Sequence, residues 1–299
     1  MLNIVGHKKI WFTLSIILVG IAVIAVATFG FQEAADLKGG TLWEFKVPGQ
    51  NLSVTDVQNE LTNNLHIADA QVNLNNGNQS FLVRFGTINE AAHQQDKSEL
   101  TAVWPSFQEL SFQSISASVG TNLRNNSIIA ILLVLIGISL YIAFAFRKAS
   151  RPISSWKYGW ITLLTLFHDV AIPAGMLAIL GHFANVQIDS DIIVALLVVM
   201  GFSVHDTIVV FDRIRENLLN HRGKVPFGTI VNDSVNQTLA RSINTSVTLL
   251  LVLFALYFIG PADLQYFVLT LIVGVTTGMY SSIFIASPAL VLISSNESI

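Results

Sequence analysis

Three charged side chains, two of them beside a histidine, lie within stretches of this sequence that are otherwise apolar. Asp169 follows His168 in one such stretch, Asp206 follows His205 in the next, and Arg241 begins a third. An ionisable group at membrane depth costs at least about 2.5–3.5 kcal/mol, so these residues are expected to face the interior of a helix bundle and to serve a function. Carboxylate, imidazole and guanidinium groups placed together at that depth can exchange protons.

Polar side chains accompany each charge at helical spacing. They are Thr162 and Thr165 before Asp169, Ser203 before Asp206, and Asn244, Thr245 and Thr248 after Arg241. Since residues three, four and seven apart share one helix face, we expect the three polar stripes to face one another. If the distance between Asp206 and Arg241 changes with conformation, Asp206 can bind a proton in one state and release it in the other. The neighbouring histidines could extend this relay.

The same residues also allow simpler roles. Arg241 lies near the end of its apolar stretch and could extend to the membrane surface, and either histidine could serve only as a structural hydrogen-bond partner. No i, i+4 pair of His or acidic residues resembles a known ligand motif, so we expect no metal site and no cofactor. The sequence also lacks a nucleophile elbow and a phosphate loop, so we do not expect an enzyme.

The composition places these charges in a multi-pass membrane protein. Of the 299 residues, 52% are hydrophobic and 12% are charged, whereas soluble domains contain about 25% charged residues. The net charge of −3 excludes a nucleic-acid binder that relies on positive charge. Residues 31–125 hold 15 of the charged residues, out of 16 basic and 19 acidic in the chain. We therefore expect one soluble insert in a membrane protein.

Six stretches have the length of about 20 mostly apolar residues that a transmembrane helix needs. They are Ile10–Phe31, Ser127–Phe146, Tyr158–Leu180, Ile192–Phe211, Ser242–Ile259 and one within Tyr266–Ile293. Lys and Arg precede the first span and lie between the second and third and between the fourth and fifth, whereas the opposing short loops contain none. The positive-inside rule therefore places both termini in the cytoplasm and the insert outside.

Two further patterns concern the last two spans. Gly274 and Gly278 have the GxxxG spacing that lets helices approach closely, either within the chain or against a partner subunit. Residues 227–239 carry an apolar stripe that predicts an interfacial helix leading into the fifth span.

The insert has the patterns of a small α+β domain. Its predicted elements are a strand over 41–47, a helix capped by Ser53 or Thr55, strands over 70–74 and 80–85 around a turn at Asn75–Asn78, a helix from Asn89 towards Val103, and a strand over 107–115. This βαββαβ order is that of the ferredoxin-like fold, which suits binding or docking. The expected division is residues 1–31 for the first span, 32–125 for this domain and 126–299 for a five-helix bundle.

A short glycine-containing segment precedes the first strand. Asp36, Gly39 and Gly40 lie where the first span gives way to the insert. Paired glycines permit positive φ and close approach of backbones. We expect a tight turn here that serves as the hinge of the insert.

Residues 201–217, with the sequence GFSVHDTIVVFDRIREN, closely resemble the signature of the SecF family of bacterial protein-export subunits. Further segments agree in order and spacing, at residues 36–41, 118–124, 168–170, 237–242 and 280–288. The resemblance implies that Asp206 and Arg241 are the proton-coupling pair of the family. This sequence departs from the family at position 205, where it has His and the family commonly has Asn.

The resemblance further implies a half-transporter of the resistance-nodulation-division superfamily in the bacterial plasma membrane. Such a subunit pairs with SecD, associates with the SecYEG channel and uses the proton motive force to draw a precursor polypeptide outwards through the lipid bilayer. Two alternatives from other classes are a half-exporter of a small apolar solute or lipid and a structural assembly subunit without proton coupling.

Overall fold

The computed structural model describes residues 2–67, 70–75, 79–147, 153–221, 225–261 and 264–294. It divides into a helical unit, Met1–Gln32 with Ile129–Ile299, and an α+β unit, Glu33–Ile128. Most of the predicted hairpin turn lies outside the described residues. So do Lys148, Arg151, Arg222 and Lys224, which contributed to the predicted orientation, and the end of the C-terminal tail.

The helices and strands are numbered in chain order. They are α1 (Lys8–Phe29), α2 (Ala35–Lys38), β1 (Gly40–Lys46), α3 (Val54–Asn63), β2 (Gln71–Asn75), β3 (Ser80–Phe85), α4 (Glu90–Val103), β4 (Gln108–Ile115), α5 (Ala117–Ala145), α6 (Ser155–Ala184), α7 (Ser190–His221), α8 (Phe227–Ile259), α9 (Gln265–Ser281), a π-helical turn (Ser282–Ala286) and α10 (Ser287–Ser294).

Among the described residues, six helical segments are long and apolar enough to cross a membrane, as the hydropathy pattern predicts. They are α1, α5, α6, α7, α8 and the continuous segment from α9 through the π-helical turn to α10. Residues 227–239 are helical and lead into the fifth span, as predicted, because α8 runs unbroken from Phe227 to Ile259; a position of this part at the membrane interface stays a prediction. No Pro interrupts this stretch and no Gly follows Gly228, so nothing in its sequence breaks the helix.

Small residues set the closest contacts between helices of the helical unit. A Cβ atom added at Gly274 in α9 would overlap the side chain of Val199 in α7, and one at Gly278 would lie 3.0 Å from Ser203 Cβ. The GxxxG pair therefore packs within the chain, against α7. In the same way, Gly175 in α6 allows α1 to approach at Ala22.

The α+β unit contains one antiparallel sheet with strand order β2-β3-β1-β4. Its buried core includes Trp43 and Phe45 of β1, Leu61 of α3 and Leu100 of α4. Every helix and strand predicted for the insert is present, with bounds that differ by a few residues. The observed order along the chain from β1 to β4 is βαββαβ, with α2 preceding it.

Both longer helices of this unit begin at residues that the sequence marks as caps. Ser53, rather than Thr55, caps α3 in a capping box with Asp56. Asn89 caps α4 by accepting a hydrogen bond from the backbone N–H of Ala92 at 2.9 Å. Such caps satisfy backbone donors that have no partner within the helix.

Glu109 in β4 connects the sheet to α4. Its carboxylate accepts hydrogen bonds from Trp43 Nε1 at 3.0 Å, His93 Nε2 at 2.7 Å and Lys97 Nζ at 3.0 Å. Burial raises the pKa of this carboxyl group, but the hydrogen bonds together lower it more, so the pKa lies below its ordinary value. The ionised form of Glu109 is thus favoured in the folded unit.

We expect the stability of the α+β unit to fall with pH below about 4.5, the ordinary pKa of glutamate. Because the pKa of Glu109 is lower when folded than when unfolded, its stabilisation is complete above that pH and is lost as pH falls through the folded-state value. Amide hydrogen exchange of β1 and β4 in the wild type and Glu109→Gln should differ at neutral pH and converge on acidification. A difference that does not change with pH would contradict this assignment.

The predicted hinge residues lie at a close contact between two backbones. Asp36 is in α2, and Gly39 and Gly40 follow with φ of 84° and 142°, values that favour glycine. A Cβ atom at Gly39 would lie 2.5 Å from Ala117 Cα, and one at Gly120 would lie 2.6 Å from the backbone nitrogen of Gly39. The start of α5 therefore packs directly on the segment before β1.

Gly120→Ala is expected to destabilise the α+β unit by about 1–3 kcal/mol, because the added methyl group displaces the backbone at Gly39. Gly137→Ala in the same helix is the matched control, since nothing lies within 4 Å of its added Cβ. Equilibrium unfolding of the two variants measures the difference. Equal free energies of unfolding for the two variants would mean that the backbone at Gly39 accommodates the added methyl group without loss of stability.

Candidate functional site

Asp169 is the centre of a buried polar cluster between α6, α7 and α9. The residue is 0% exposed. Its Oδ1 atom lies 2.8 Å from Nδ1 of His168, and its Oδ2 atom accepts hydrogen bonds from Ser203 Oγ at 2.5 Å and Ser281 Oγ at 2.6 Å. A carboxylate with three donors is well satisfied even without a cation. The structure thus brings together His168, Asp169 and Ser203, as the sequence predicts.

Asp206 lies one turn beyond Ser203 on α7 and has a different environment. It is 2% exposed. Within the described residues, its carboxylate receives one side-chain hydrogen bond, from Ser246 Oγ of α8 at 3.3 Å. Asp206 is therefore a buried carboxylate with few partners, in contrast to Asp169.

Arg241 does not form an ion pair with Asp206 within 4.0 Å in the described part of the chain. It is exposed and lines a cavity of about 370 Å³ between α7 and α8. The other lining residues are Val209, Asp212, Arg213, Glu216, Gln237 and Thr238. The two carboxylates of this cavity already have partners, Asp212 with Arg215 at 3.0 Å and Glu216 with Arg213 at 2.6 Å.

The predicted facing stripe of α8 is wrong. Arg241, Asn244 and Thr245 are exposed, and the Thr245 hydroxyl donates to carbonyl oxygens of its own helix. The inward face of α8 instead presents the buried residues Ser242 and Ser246. The buried face of α8 is shifted by one residue from the predicted face. The reason is that these small side chains, rather than the larger polar ones, fit against the neighbouring helix.

His205 is also separate from the buried cluster. Its side chain is exposed on α7, whereas Ser203 and Asp206 on the same helix are buried. A residue adjacent to Asp206 in sequence points away from the cluster because successive residues on a helix differ by about 100° in direction. His205 and His168 therefore do not form a continuous relay in this structure.

Sequence reasoning missed the hydroxyl groups that complete the site. Ser246 contacts Asp206, Ser281 contacts Asp169, and Ser282 Oγ lies 2.8 Å from Thr207 Oγ1. In the sequence, Ser281 and Ser282 are adjacent serines of the sixth span. Their signal was the combination of two hydroxyl groups with Gly278 one turn earlier, which packs against Ser203 of α7.

Within the part of the chain that the structure describes, no group of three or more His, Cys, Asp or Glu side chains could hold a metal ion. The contacts described above bring together carboxylates, hydroxyls and an imidazole. Such groups can hold and transfer protons. The fold and these groups define a class: a multi-pass membrane protein with protonatable side chains inside its helix bundle and a separate α+β unit.

Comparisons with known proteins identify the family. The sequence profile described as Protein export membrane protein SecD/SecF, C-terminal, matches residues 95–296. A protein translocase subunit SecF from Thermobaculum terrenum is 40% identical, over 97% of this chain and 93% of the relative. Another from Anaerolinea thermophila is 35% identical, over 99% of this chain and 96% of the relative. This chain belongs to the SecD/SecF family.

Solved structures agree with this assignment. The crystal structure of SecDF, a translocon-associated membrane protein from Thermus thermophilus, superimposes with a TM-score of 0.82 at 30% identity and covers 98% of this chain. A second SecDF structure, in a form described as super-membrane-facing, gives a TM-score of 0.70 at 31% identity. This chain spans 39% of the length of each of these SecDF chains.

Proposed function

We propose that this protein is an accessory subunit of the Sec translocase that uses the proton motive force to promote polypeptide export. It lies in the bacterial plasma membrane with both termini in the cytoplasm and the α+β unit outside. Relatives that match nearly the whole chain are named protein translocase subunit SecF, which supports the role in translocation. The proton coupling rests on the chemistry of the helical unit.

The observation that carries the proposal is the environment of Asp206. This carboxylate is 2% exposed and has one hydroxyl donor at 3.3 Å among the described residues. A buried carboxylate charge with so few partners costs more free energy than the neutral acid does. Asp206 is therefore suited to bind a proton in this conformation.

Arg241 provides the means of release. In this conformation Ser246 occupies the position beside Asp206, and Arg241 lies five residues earlier on α8, about 7.5 Å along the helix axis. In a second conformation we propose that α8 shifts and the guanidinium approaches Asp206. A cation at that distance favours the ionised carboxylate and releases the proton.

The partner is a SecD subunit, together with the SecYEG channel and the translocating precursor. Polar side chains exposed on the membrane-crossing helices α7 and α8, namely His205, Asn244 and Thr245, are costly in contact with lipid. A second half that covers them removes this cost. The Thermus thermophilus relative, named SecDF, has more than twice the length of this chain, as a subunit joined to such a second half would have.

The α+β unit is the moving part of this proposal. Its βαββαβ order and its sheet order β2-β3-β1-β4 support assignment to the ferredoxin-like fold. The segment with Asp36, Gly39 and Gly40 is the proposed hinge. We propose the same division as from the sequence, with residues 32–125 outside and 126–299 forming the five-helix bundle.

Precursor export in cells depleted of their own SecF tests the function. The cells carry this chain with its cognate SecD, and export is measured with and without a protonophore that leaves ATP levels unchanged. Rescue that the protonophore abolishes is the expected result. Rescue that persists would indicate an assembly subunit without proton coupling, and absence of rescue despite normal abundance would favour the half-exporter of a small apolar solute or lipid.

A further inference from the structure

We propose that His168 and Asp169 form a second proton-binding site in the helical unit, separate from Asp206, and that its proton enters through His168 Nε2. The inference extends the proposed function without depending on it, because its test measures protonation rather than export. It rests on the hydrogen bonds of the buried cluster.

The first observation is that the cluster is complete when Asp169 is ionised. Three donors converge on its carboxylate: His168 Nδ1 on Oδ1, and the hydroxyls of Ser203 and Ser281 on Oδ2. An ionised carboxylate accepts only, so each donor is satisfied. The imidazole is then the neutral tautomer with its proton on Nδ1.

The second observation is that the cluster also has partners for the protonated state. The Ser281 hydroxyl lies 3.1 Å from the carbonyl oxygen of Gly278, one turn earlier in α9. When Asp169 becomes neutral, its oxygens are weaker acceptors, and the Ser281 hydroxyl can turn to Gly278 without movement of any heavy atom. The Ser281 hydroxyl therefore has an acceptor in both protonation states.

The third observation concerns the second ring nitrogen of His168, Nε2. His168 is 5% exposed, and its Nε2 atom is buried without a hydrogen-bond partner in the described part of the chain. In the Nδ1–H tautomer this nitrogen carries a free lone pair. Of the two ring nitrogens of His168, it is the one that is free to accept a proton.

These positions allow a proton to pass from His168 to Asp169 with every proton accounted for. A proton binds at His168 Nε2, and the Nδ1 proton passes over the 2.8 Å hydrogen bond to Asp169 Oδ1. The ring ends as the neutral Nε2–H tautomer, whose Nδ1 accepts a hydrogen bond from the new carboxyl O–H. The net charge of the pair changes from −1 to zero.

Titratable groups also lie on helices that neighbour the His168–Asp169 pair. α7 carries Asp206 one turn beyond Ser203, and α9 presents Tyr280, whose ring centroid is 6.1 Å from that of His168. The Tyr280 hydroxyl donates to the backbone oxygen of Trp11 in α1 at 2.9 Å. From α1, Trp11 and Ser15 contact Tyr280, and neither of these titrates. Asp206 and Tyr280 are thus the groups whose titration must be separated from that of the pair.

Infrared difference spectroscopy of the full chain in lipid vesicles tests the proposal. Acidification of the wild type should produce a carboxylic acid C=O band that is absent in Asp169→Asn and retained in Asp206→Asn. After a rapid pH drop, the band should appear more slowly in His168→Gln, since the amide cannot accept a proton at this position. An Asp169→Asn spectrum identical to the wild type would overturn the site, and an unchanged rate in His168→Gln would overturn the route.

A second pair of variants serves where Asp169→Asn does not fold. Ser203→Ala removes the hydroxyl that donates to Asp169 Oδ2, so the carbonyl of the protonated group loses a hydrogen bond and the band should move to higher frequency. Ser282→Ala is the matched control, because that hydroxyl contacts Thr207 instead of Asp169. Equal spectra from these two variants would overturn the assignment of the band to Asp169. Because no step requires export, failure of the proposed function leaves this result intact.

Discussion

Asp206→Asn is expected to abolish the proton-dependent part of export while leaving the abundance and assembly of the protein unchanged. The substitution replaces the carboxyl group with an amide of the same shape, which still accepts the hydrogen bond from Ser246 but cannot bind and release a proton. Groups that transfer protons contribute about 10²–10⁴-fold to rates. Export should therefore fall to the level seen with a protonophore.

The matched control is Asp191→Asn. Asp191 lies on the same helix, α7, but is exposed in its first turn, so the same chemical change is expected to leave export unchanged. The measurement is precursor export at equal protein abundance, with association with SecD measured in parallel. Loss of association in Asp206→Asn would assign Asp206 to assembly, and full export in that variant would remove it from the coupling mechanism.

Much of the α+β unit could be predicted because its signals are local. Alternating apolar residues set the strands, and Ser53 and Asn89 set the helix starts through hydrogen bonds within one turn. The one missing element, α2, has only four residues. Such a short helix depends on packing that no local pattern records.

The positions of the membrane helices along the sequence could be predicted, but the face of each helix that points into the bundle could not. Hydropathy identifies a span by its length, yet a helix that is apolar on all sides carries little information about which face is inside. In α8 the polar residues Asn244 and Thr245 indicate an inner face from the sequence, whereas the residues that are buried by close packing are Ser242 and Ser246. Helix contacts in membranes favour small residues, and this preference decided the phase.

Asp169 and Asp206 cannot be distinguished from the sequence, since each follows a histidine in an apolar span. The structure separates them through residues distant in sequence: Ser281 completes the shell of Asp169, and Ser246 alone donates a side-chain hydrogen bond to Asp206 within the described residues. A well-satisfied carboxylate and a poorly satisfied one hold protons differently. Their distinct roles therefore depend on which helices meet, which the pattern of one chain does not specify.

Arg241→Gln is expected to abolish proton-dependent export without a measurable change in stability. Arg241 is exposed and has no ion pair within the described residues, so its replacement should change the free energy of unfolding by less than about 0.5 kcal/mol. Export is lost because no cation can then approach Asp206 to displace its proton. Arg241→Lys keeps the charge but loses the planar fork of the guanidinium, and we expect intermediate export.

The double variant Asp206→Asn with Arg241→Gln distinguishes a coupled pair from two independent sites. Residues that act as one unit give effects that do not add, so the double variant should export no less than either single variant. Additive losses would mean that Arg241 acts elsewhere, for example on the paired carboxylates of the cavity that it lines. Full export by Arg241→Gln would instead show that this side chain only extends to the membrane surface, since a simple anchor can be replaced by another polar residue.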